Sequence, residues 1–195
     1  MDLSTITPQG IRQVLSGSVR RTLPLPVGFQ RAAVLVPIEF RSAGPELLFT
    51  RRTETVETHK GQVSFPGGAV DKEDAGPVQT ALREMEEEVG IDAQWVDVLG
   101  LLDDMETPTG FVITPVVGEL RSGASILPNA SEVAEVFRVP LGFFDDPRNG
   151  RKEFRMVRGI AREVWHYEAG AHTIWGATAA IVRSLIITVR ASPEK

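Results

Sequence analysis

The clearest hydrophobic pattern in the chain lies between Pro77 and Gly90. Apolar residues recur there at helical spacing, at Val78, Ala81, Leu82, Met85 and Val89. This period predicts an amphipathic helix with one face for the core. Pro77 and Gly90 suit the two ends of that helix, because proline is tolerated in a first turn and glycine favours the end of a last one.

Strand patterns surround this helix. β-rich runs before it cover 32–40, 46–51 and 62–65, and those after it cover 96–102, 111–120, 133–139, 153–157 and 162–167. Turn residues predict hairpins between the first two runs and between the last two. A short helix follows Thr7, and the apolar stretch Thr173–Arg190 has a helical period. The order predicts an α/β fold, an α/β/α sandwich with a mixed sheet between helices.

Composition narrows the class of protein. A length of 195 residues with 42% hydrophobic content predicts a single domain over 1–195, in which 1–30 forms the leading helix and a wrapping segment. A net charge of −5 disfavours nucleic-acid and anionic membrane partners. The lack of cysteine excludes disulfides and thiolate sites. Because no secretory signal or long apolar span is present, we expect a soluble, cytoplasmic monomer or homodimer.

Acidic residues occupy a second arc of the predicted helix. Glu84, Glu87 and Glu88 stand at i, i+3 and i+4, which places them within an arc of about 100°. A run of glutamates alone is usually a solvated face. Here Gly67 and Gly68 end the preceding strand, where a bare backbone can approach phosphates or offer a carbonyl to a metal. This order favours a site for Mg²⁺ or Mn²⁺, whose preferred ligands are oxygens.

The stretch from Gly67 to Ile91 resembles the Nudix box. That box reads glycine, five residues, glutamate, seven residues, then Arg-Glu, an aliphatic, any residue, Glu-Glu, any residue, glycine and an aliphatic. The part from Arg83 to Ile91 fits fully. Counting from Gly68, however, Asp74 stands in place of the first glutamate, and eight residues separate it from Arg83.

The resemblance implies a Nudix fold and metal-dependent hydrolysis of a nucleoside diphosphate linked to another group. It implies that the metal is held by Glu84, Glu87 and Glu88, with Gly67 beside them. Arg83 is then expected to orient the carboxylates through a salt bridge. The general base is expected to be Glu84 or an acid of a later loop. Of the later acids we favour Glu132 and Glu135, although each is as readily interpreted as an exposed residue at a strand edge.

Segments outside the box are similar to the coenzyme A pyrophosphatase branch of this family. They are Leu47–Arg52, Thr58–Gly68, Thr107–Phe111, Thr114–Val116 and Ile174–Ala179. The branch also commonly has the aspartate and the longer spacer noted above. Glu57 departs from it, because many members carry a basic residue there. The resemblance implies cleavage of coenzyme A or its thioesters to 3′,5′-ADP and 4′-phosphopantetheine or its acyl form.

The residues expected to meet this substrate are cations, glycines and one aromatic ring. They are Arg51, Arg52, His59, Lys60, Gly61, Gly68 and Phe111. Arginine and lysine are suited to phosphate groups, but beside a strand they are most often surface residues. Phe111 suits stacking on a base, although such rings usually belong to the core.

Two other functions stay open at this point. The first is a Nudix pyrophosphatase that acts on ADP-ribose, a dinucleotide or a damaged nucleotide. The second is a non-catalytic sensor of nucleotides or metals with the same fold, which the retention of all three helix glutamates disfavours.

Overall fold

The fold is taken from a computed structural model that describes residues 3–54, 60–157 and 159–191. The helices are α1 (Pro8–Gly17), α2 (Pro77–Val89) and α3 (Gly176–Arg190). The strands before α2 are β1 (Gln30–Arg41), β2 (Gly44–Arg52), β3 (Val63–Ser64) and β4 (Gly67–Ala69). Those after it are β5 (Val96–Leu101), β6 (Met105–Glu106), β7 (Phe111–Leu120), β8 (Val133–Pro140), β9 (Gly150–Val157), β10 (Ile160–Ala169) and β11 (His172–Trp175).

The main sheet is mixed. Its path runs β3-β2-β1-β7-β5, while β4 pairs with β1, β6 with β7 and β8 with β2. β1 and β7 are parallel, and the other pairs in this sheet are antiparallel. β1 and β2 form the predicted hairpin, with Arg41 opposite Gly44. A separate antiparallel sheet has the order β11-β10-β9.

Helices cover both faces of the main sheet. On one face, α2 buries Ala81, Met85 and Val89 completely, against residues such as Leu35 and Leu48. On the other, α1 and α3 share a core with the neighbouring strand positions, which point the opposite way because strand side chains alternate. The predicted α/β/α arrangement with a mixed sheet is confirmed.

The predicted ends of α2 are confirmed as well. Pro77 occupies its first turn, and Gly90 ends it in the left-handed conformation at φ 73°, where its N–H donates to the Glu86 carbonyl. A residue with a side chain would be strained at that backbone angle. The end of α2 is therefore fixed two residues after Glu88.

The prediction that a helix begins near Thr173 is wrong. His172–Trp175 forms β11, with Trp175 opposite His166 of β10, and α3 begins only at Gly176. Thr173, Ile174 and Trp175 are good strand formers, and the long-range pairing with β10 outweighs the local helical period. The apolar period of the helix proper, from Gly176 onward, agrees with the prediction.

The segment after α1 wraps across the connection between β5 and β6. Arg20 donates to the Leu102 carbonyl at 2.9 Å and also binds Asp104. The Leu23 amide donates to the Asp104 carboxylate at 2.9 Å. These contacts fasten the N-terminal segment to the sheet. No helix in the described ranges is long and apolar enough to cross a membrane.

Candidate active site

Arg83 lies at the centre of the acidic cluster and binds three carboxylates. Its Nε and Nη2 donate to the two oxygens of Asp74 at 3.3 and 3.0 Å. Its Nη1 donates to Glu84 at 2.7 Å and to Glu87 at 3.0 Å. A planar guanidinium with this many donors fixes the relative positions of the acids on α2 and in the loop before it.

Asp74 anchors that arginine. Its side chain is only 3% exposed, and it also accepts hydrogen bonds from the Thr80 hydroxyl at 2.8 Å and the Asp71 amide at 3.0 Å. The hydrogen bonds from Arg83 are the main cause that lowers the pKa of Asp74 to about 2. Asp74 is therefore an anion that holds Arg83 in place, and Thr80 is a contributor that the sequence analysis did not identify.

The two glycines let the strand approach the acidic helix. A Cβ atom on Gly68 would collide with the Glu84 carboxylate, and one on Gly67 would lie 2.6 Å from Val34 Cα in β1. The Gly67 backbone also lies close to the Glu88 carboxylate, where it weakly opposes the rise that burial causes in the pKa of that residue. Both glycines thus lie beside the predicted metal ligands. A side chain at position 68 would push β4 away from Glu84, and one at position 67 would push β4 away from β1.

Glu88 is a buried carboxylate with an unsatisfied oxygen. It is 3% exposed, its Oε1 lies 3.3 Å from Arg52 Nη1, and its Oε2 has no hydrogen-bond partner. Burial is the main cause that raises the pKa of Glu88 to about 8, and the charges of Glu84 and Glu132 raise it further. Such a group is costly to ionise unless a cation joins it.

Glu84 and Glu132 complete the acidic surroundings of Glu88. Burial raises the pKa of Glu84, and the charges of Glu87 and Glu132 act in the same direction. Glu132 precedes β8, where its Oε1 accepts a hydrogen bond from Asn129 at 3.2 Å. The backbone N–H of Asn129 in turn donates to the backbone carbonyl of Glu88 at 3.0 Å. The loop before β8 is therefore tied to the end of α2 and brings Glu132 to the cluster.

The carboxylate oxygens of the cluster are suitable ligands for a divalent cation, but their present arrangement does not form a complete set of ligands. Within residues 3–54, 60–157 and 159–191, no three acidic or histidine side chains already surround one point. Arg83 holds Glu84 and Glu87, and Arg52 holds Glu88. The unpaired Oε2 of Glu88 and the mutual repulsion of the acids are what a cation would relieve.

Glu135 and Arg51 form a different group. Arg51 Nε lies 3.3 Å from Glu135 Oε2, and His172 Nε2 lies 3.3 Å from Glu135 Oε1. The His172 ring stacks on Phe137 with centroids 3.8 Å apart. Arg51 and Arg52 therefore pair with different acids, and the structure groups Glu135 with β11, whereas it places Glu132 with the helix glutamates.

The remaining predicted substrate residues are scattered. Lys60 is exposed, and Gly61 closes the adjacent turn at φ 64°. Phe111 begins β7, where its amide donates to the Thr107 hydroxyl at 3.1 Å. Within the described part of the chain, no hydrogen bond or ion pair joins Lys60, Gly61 or Phe111 to the helix glutamates, which pair with Arg83 and Arg52 instead. His59 and Glu57 lie outside the described residues.

Comparison with known proteins finds similarity to members of a single protein family. The NUDIX domain matches residues 29–158. The chain is 43% identical over 156 residues to the uncharacterized Nudix hydrolase NudL of Photorhabdus laumondii, covering 80% of this chain and 83% of that protein. It is 42% identical to the protein of that name from Cronobacter sakazakii, covering 84% and 85%. The fold is similar to a NUDIX hydrolase from Alicyclobacillus acidocaldarius, with a TM-score of 0.53, 19% identity and coverage of 82% and 91%.

Proposed function

Because this chain belongs to the Nudix family, whose hydrolases act on pyrophosphate bonds, we propose that it is a metal-dependent enzyme for coenzyme A or its thioesters. The products are then 3′,5′-ADP and 4′-phosphopantetheine or its acyl form. The observation that carries the catalytic part is Glu88, a buried carboxylate with one unpaired oxygen beside two further acids. A non-catalytic domain has no need to retain so costly a group.

Glu84, Glu87 and Glu88, with the Gly67 carbonyl, are the proposed holders of Mg²⁺ or Mn²⁺. When bound, the ion neutralises the diphosphate oxygens and lowers the pKa of a water molecule. All the proposed side-chain donors are carboxylates, which hard cations prefer. Arg83 keeps Glu84 and Glu87 at fixed positions, and Arg52 keeps Glu88 beside them.

The proposed general base is Glu84 or Glu132. Burial raises the pKa of Glu84 toward neutrality, which makes it a better proton acceptor than an ordinary glutamate. Glu132 is near enough to Glu84 and Glu88 for its charge to act on both. Glu135 suits the role less well, since both of its oxygens already face Arg51 and His172.

The proposal of coenzyme A rests on segments outside the box, and in the structure several of these meet around β3. The Thr50 hydroxyl lies 3.3 Å from Ser64 Oγ and from the Ser64 carbonyl. Thr178, at the start of α3, donates to the Val63 carbonyl at 3.1 Å. Two of these segments, Leu47–Arg52 and Ile174–Ala179, thus support the strand that leads into Gly67 and Gly68, and that strand belongs to a third, Thr58–Gly68. Arg52 and Lys60 are the described cations proposed to meet the substrate phosphates.

A substrate panel tests this proposal. The full chain is assayed with Mg²⁺ or Mn²⁺ on coenzyme A, acetyl-coenzyme A, ADP-ribose and a diadenosine polyphosphate, and the products are separated by chromatography. We expect 3′,5′-ADP from coenzyme A, with kcat/KM at least about tenfold above that for ADP-ribose. Preferred cleavage of another diphosphate would refute the assignment of coenzyme A as substrate. Cleavage of none of them would refute the proposal that the protein is a pyrophosphohydrolase.

A further inference from the structure

A pocket lies on the face of the main sheet that α3 covers, opposite the face covered by α2. It has a volume of about 320 Å³ and lies between the second sheet, α3 and the segment after β8. Its lining includes the aromatic residues Phe144, Trp165 and Tyr167 and the cations Lys152 and Arg183. Phe144 and Tyr167 belong to the core shared with α1 and α3. The pocket is therefore separate from the carboxylate cluster.

Tyr167 presents a buried hydroxyl that is not satisfied by the described residues. The residue is 1% exposed, and no well-formed hydrogen bond from the described residues satisfies its hydroxyl. Burial raises the pKa of this hydroxyl, and the adjacent Arg183 opposes the rise. The ring is fixed edge-on to Phe144, with centroids 5.1 Å apart, and stacked on Trp165 at 6.1 Å. Gly150 makes room for it, since a Cβ there would lie 2.7 Å from Tyr167 Cε1. A rigid ring with an unpaired hydroxyl calls for a ligand or an ordered water.

Arg183 is a cation without a carboxylate ion pair in the described part of the chain. Its guanidinium carbon lies 4.2 Å from the centroid of the Trp165 ring. Its charge lowers the pKa of Glu163, but Glu163 is hydrogen-bonded to Lys152 at 2.9 Å. Arg183 therefore keeps its planar face on Trp165, and its N–H groups lie beside the Tyr167 hydroxyl, where both can donate to an anionic acceptor.

The acidic residues of the pocket are compensated by arginines. Asp145 pairs with Arg190, and Asp146 pairs with Arg148. Neither of these two carboxylates forms an ion pair with Arg183. What the pocket offers to a ligand is consequently a set of donors, namely Arg183 and the Tyr167 hydroxyl with the Lys152 ammonium nearby, next to the apolar surfaces of Phe144 and Pro147.

We propose that this pocket binds a phosphate monoester. The phosphoryl group accepts hydrogen bonds from Arg183 and the Tyr167 hydroxyl, and Lys152 adds positive charge. A dianionic phosphate has enough acceptor oxygens for three such groups, whereas a carboxylate has two. The volume also leaves room beyond the phosphoryl group, where Phe144 and Pro147 contact the organic part. This assignment does not depend on the proposed function, because the pocket lies on the other face of the sheet.

Calorimetric titration of the full chain tests the proposal. Inorganic phosphate, phenyl phosphate and acetate are titrated in chelator-treated buffer, so that metal-dependent binding does not contribute. We expect saturable binding of phenyl phosphate, at least about threefold tighter than phosphate because a ring is also buried, and no comparable binding of acetate. Equal affinity for phenyl phosphate and phosphate, or for acetate and phosphate, would overturn the assignment to a phosphate monoester.

Two variants and a control locate the binding. Tyr167→Phe keeps the ring and removes the hydroxyl, and Arg183→Gln removes the charge. Each is expected to weaken binding of phenyl phosphate by about tenfold or more. Arg151→Gln makes the same charge change at a 62% exposed position next to Lys152 on β9, and we expect affinity within about twofold of the parent. Unchanged affinity in both Tyr167→Phe and Arg183→Gln, or no saturable binding to the parent, would refute the proposal.

Discussion

Asp104 and Glu88 are both acidic residues with almost no exposed surface, at 1% and 3%, yet their surroundings differ. Asp104 accepts hydrogen bonds from the Thr114 hydroxyl at 2.6 Å and the Leu23 amide at 2.9 Å, and it also binds Arg20. Glu88 has one cation at 3.3 Å and an oxygen with no partner.

The two carboxylates consequently titrate in opposite directions. Burial alone would raise the pKa of Asp104, but its hydrogen bonds and Arg20 together lower it below the usual value. For Glu88 burial prevails and raises the pKa to about 8, although Arg52 opposes the change. Both side chains are nearly inaccessible to solvent, but Glu88 lies deeper in the protein and has fewer donors, and both differences favour its higher pKa. A buried acid whose donors are complete supports the fold, whereas one that lacks them is available for a ligand.

The largest effect that follows from this contrast is on stability. Asp104→Asn removes the charge that Arg20 and the wrapping segment bind, so we expect the free energy of unfolding to fall by about 3 kcal/mol. Urea denaturation measures the change. Turnover per folded molecule is expected to stay within about twofold, because Asp104 is not part of the carboxylate cluster around Arg83.

Asp103→Asn is the matched control for Asp104→Asn. Asp103 is the adjacent aspartate, its side chain is 48% exposed, and it accepts from the Arg21 amide at 2.8 Å. An exposed pair of this kind contributes about 1 kcal/mol or less. If both substitutions cost the same stability, Asp104 has no special structural role.

The next largest effect is the reverse, a loss of turnover without a loss of stability. Glu88→Gln removes a proposed metal ligand, so we expect turnover with Mg²⁺ or Mn²⁺ to fall at least about 10²-fold. The metal-free protein should unfold at an equal or higher urea concentration, because the folded chain no longer has to keep a carboxyl group protonated above its ordinary pKa. Glu86→Gln, at an exposed position on the same helix, should leave both quantities unchanged. Near-normal turnover of Glu88→Gln would contradict the metal assignment.

The contrast also explains which parts of the molecule sequence patterns predict. α2 and the β1-β2 hairpin were predictable because their apolar periods and turn residues are local. Asp104 gave no such signal, because Arg20 and Leu23 lie 84 and 81 residues away along the chain. β11 was assigned to a helix for the same reason, since its strand depends on pairing with β10.

Within the site, the sequence pattern predicted that the acids lie on α2. It did not predict which residues around them form pairs. Arg51 and Arg52 were both expected to meet substrate, yet they bind Glu135 and Glu88 respectively. The register between β2 and β8 shifts between these two residues, so Arg51 lies opposite Glu135 and Arg52 opposite Val133, and such an irregularity is not visible in the period of the strand. The roles of Asp74 and Thr80 as supports of Arg83 depend on the loop conformation before α2, which spacing alone does not define.

The pH dependence of stability in the metal-free protein gives a third contrast between Glu88 and Asp104. The folded-state pKa of Glu88, about 8, lies above its ordinary value of 4.5, so the folded chain keeps a proton that the unfolded chain loses between these values. The free energy of unfolding should therefore fall as pH rises from 5 to 8. Asp104 does not contribute in this range, because its lowered pKa affects stability only below its ordinary value of 3.8.

Glu88→Gln isolates this contribution from those of the other titratable groups, which the variant and the parent share. With chelator present, the stability of Glu88→Gln relative to the parent should grow as pH rises to about 8 and then level off. Saturating Mg²⁺ should reverse the trend for the parent, since the ion binds the deprotonated carboxylate and stabilises the folded chain more as pH rises. A difference that is constant with pH would mean that Glu88 is already ionised in the folded chain, and the contrast with Asp104 would then rest on hydrogen bonding alone.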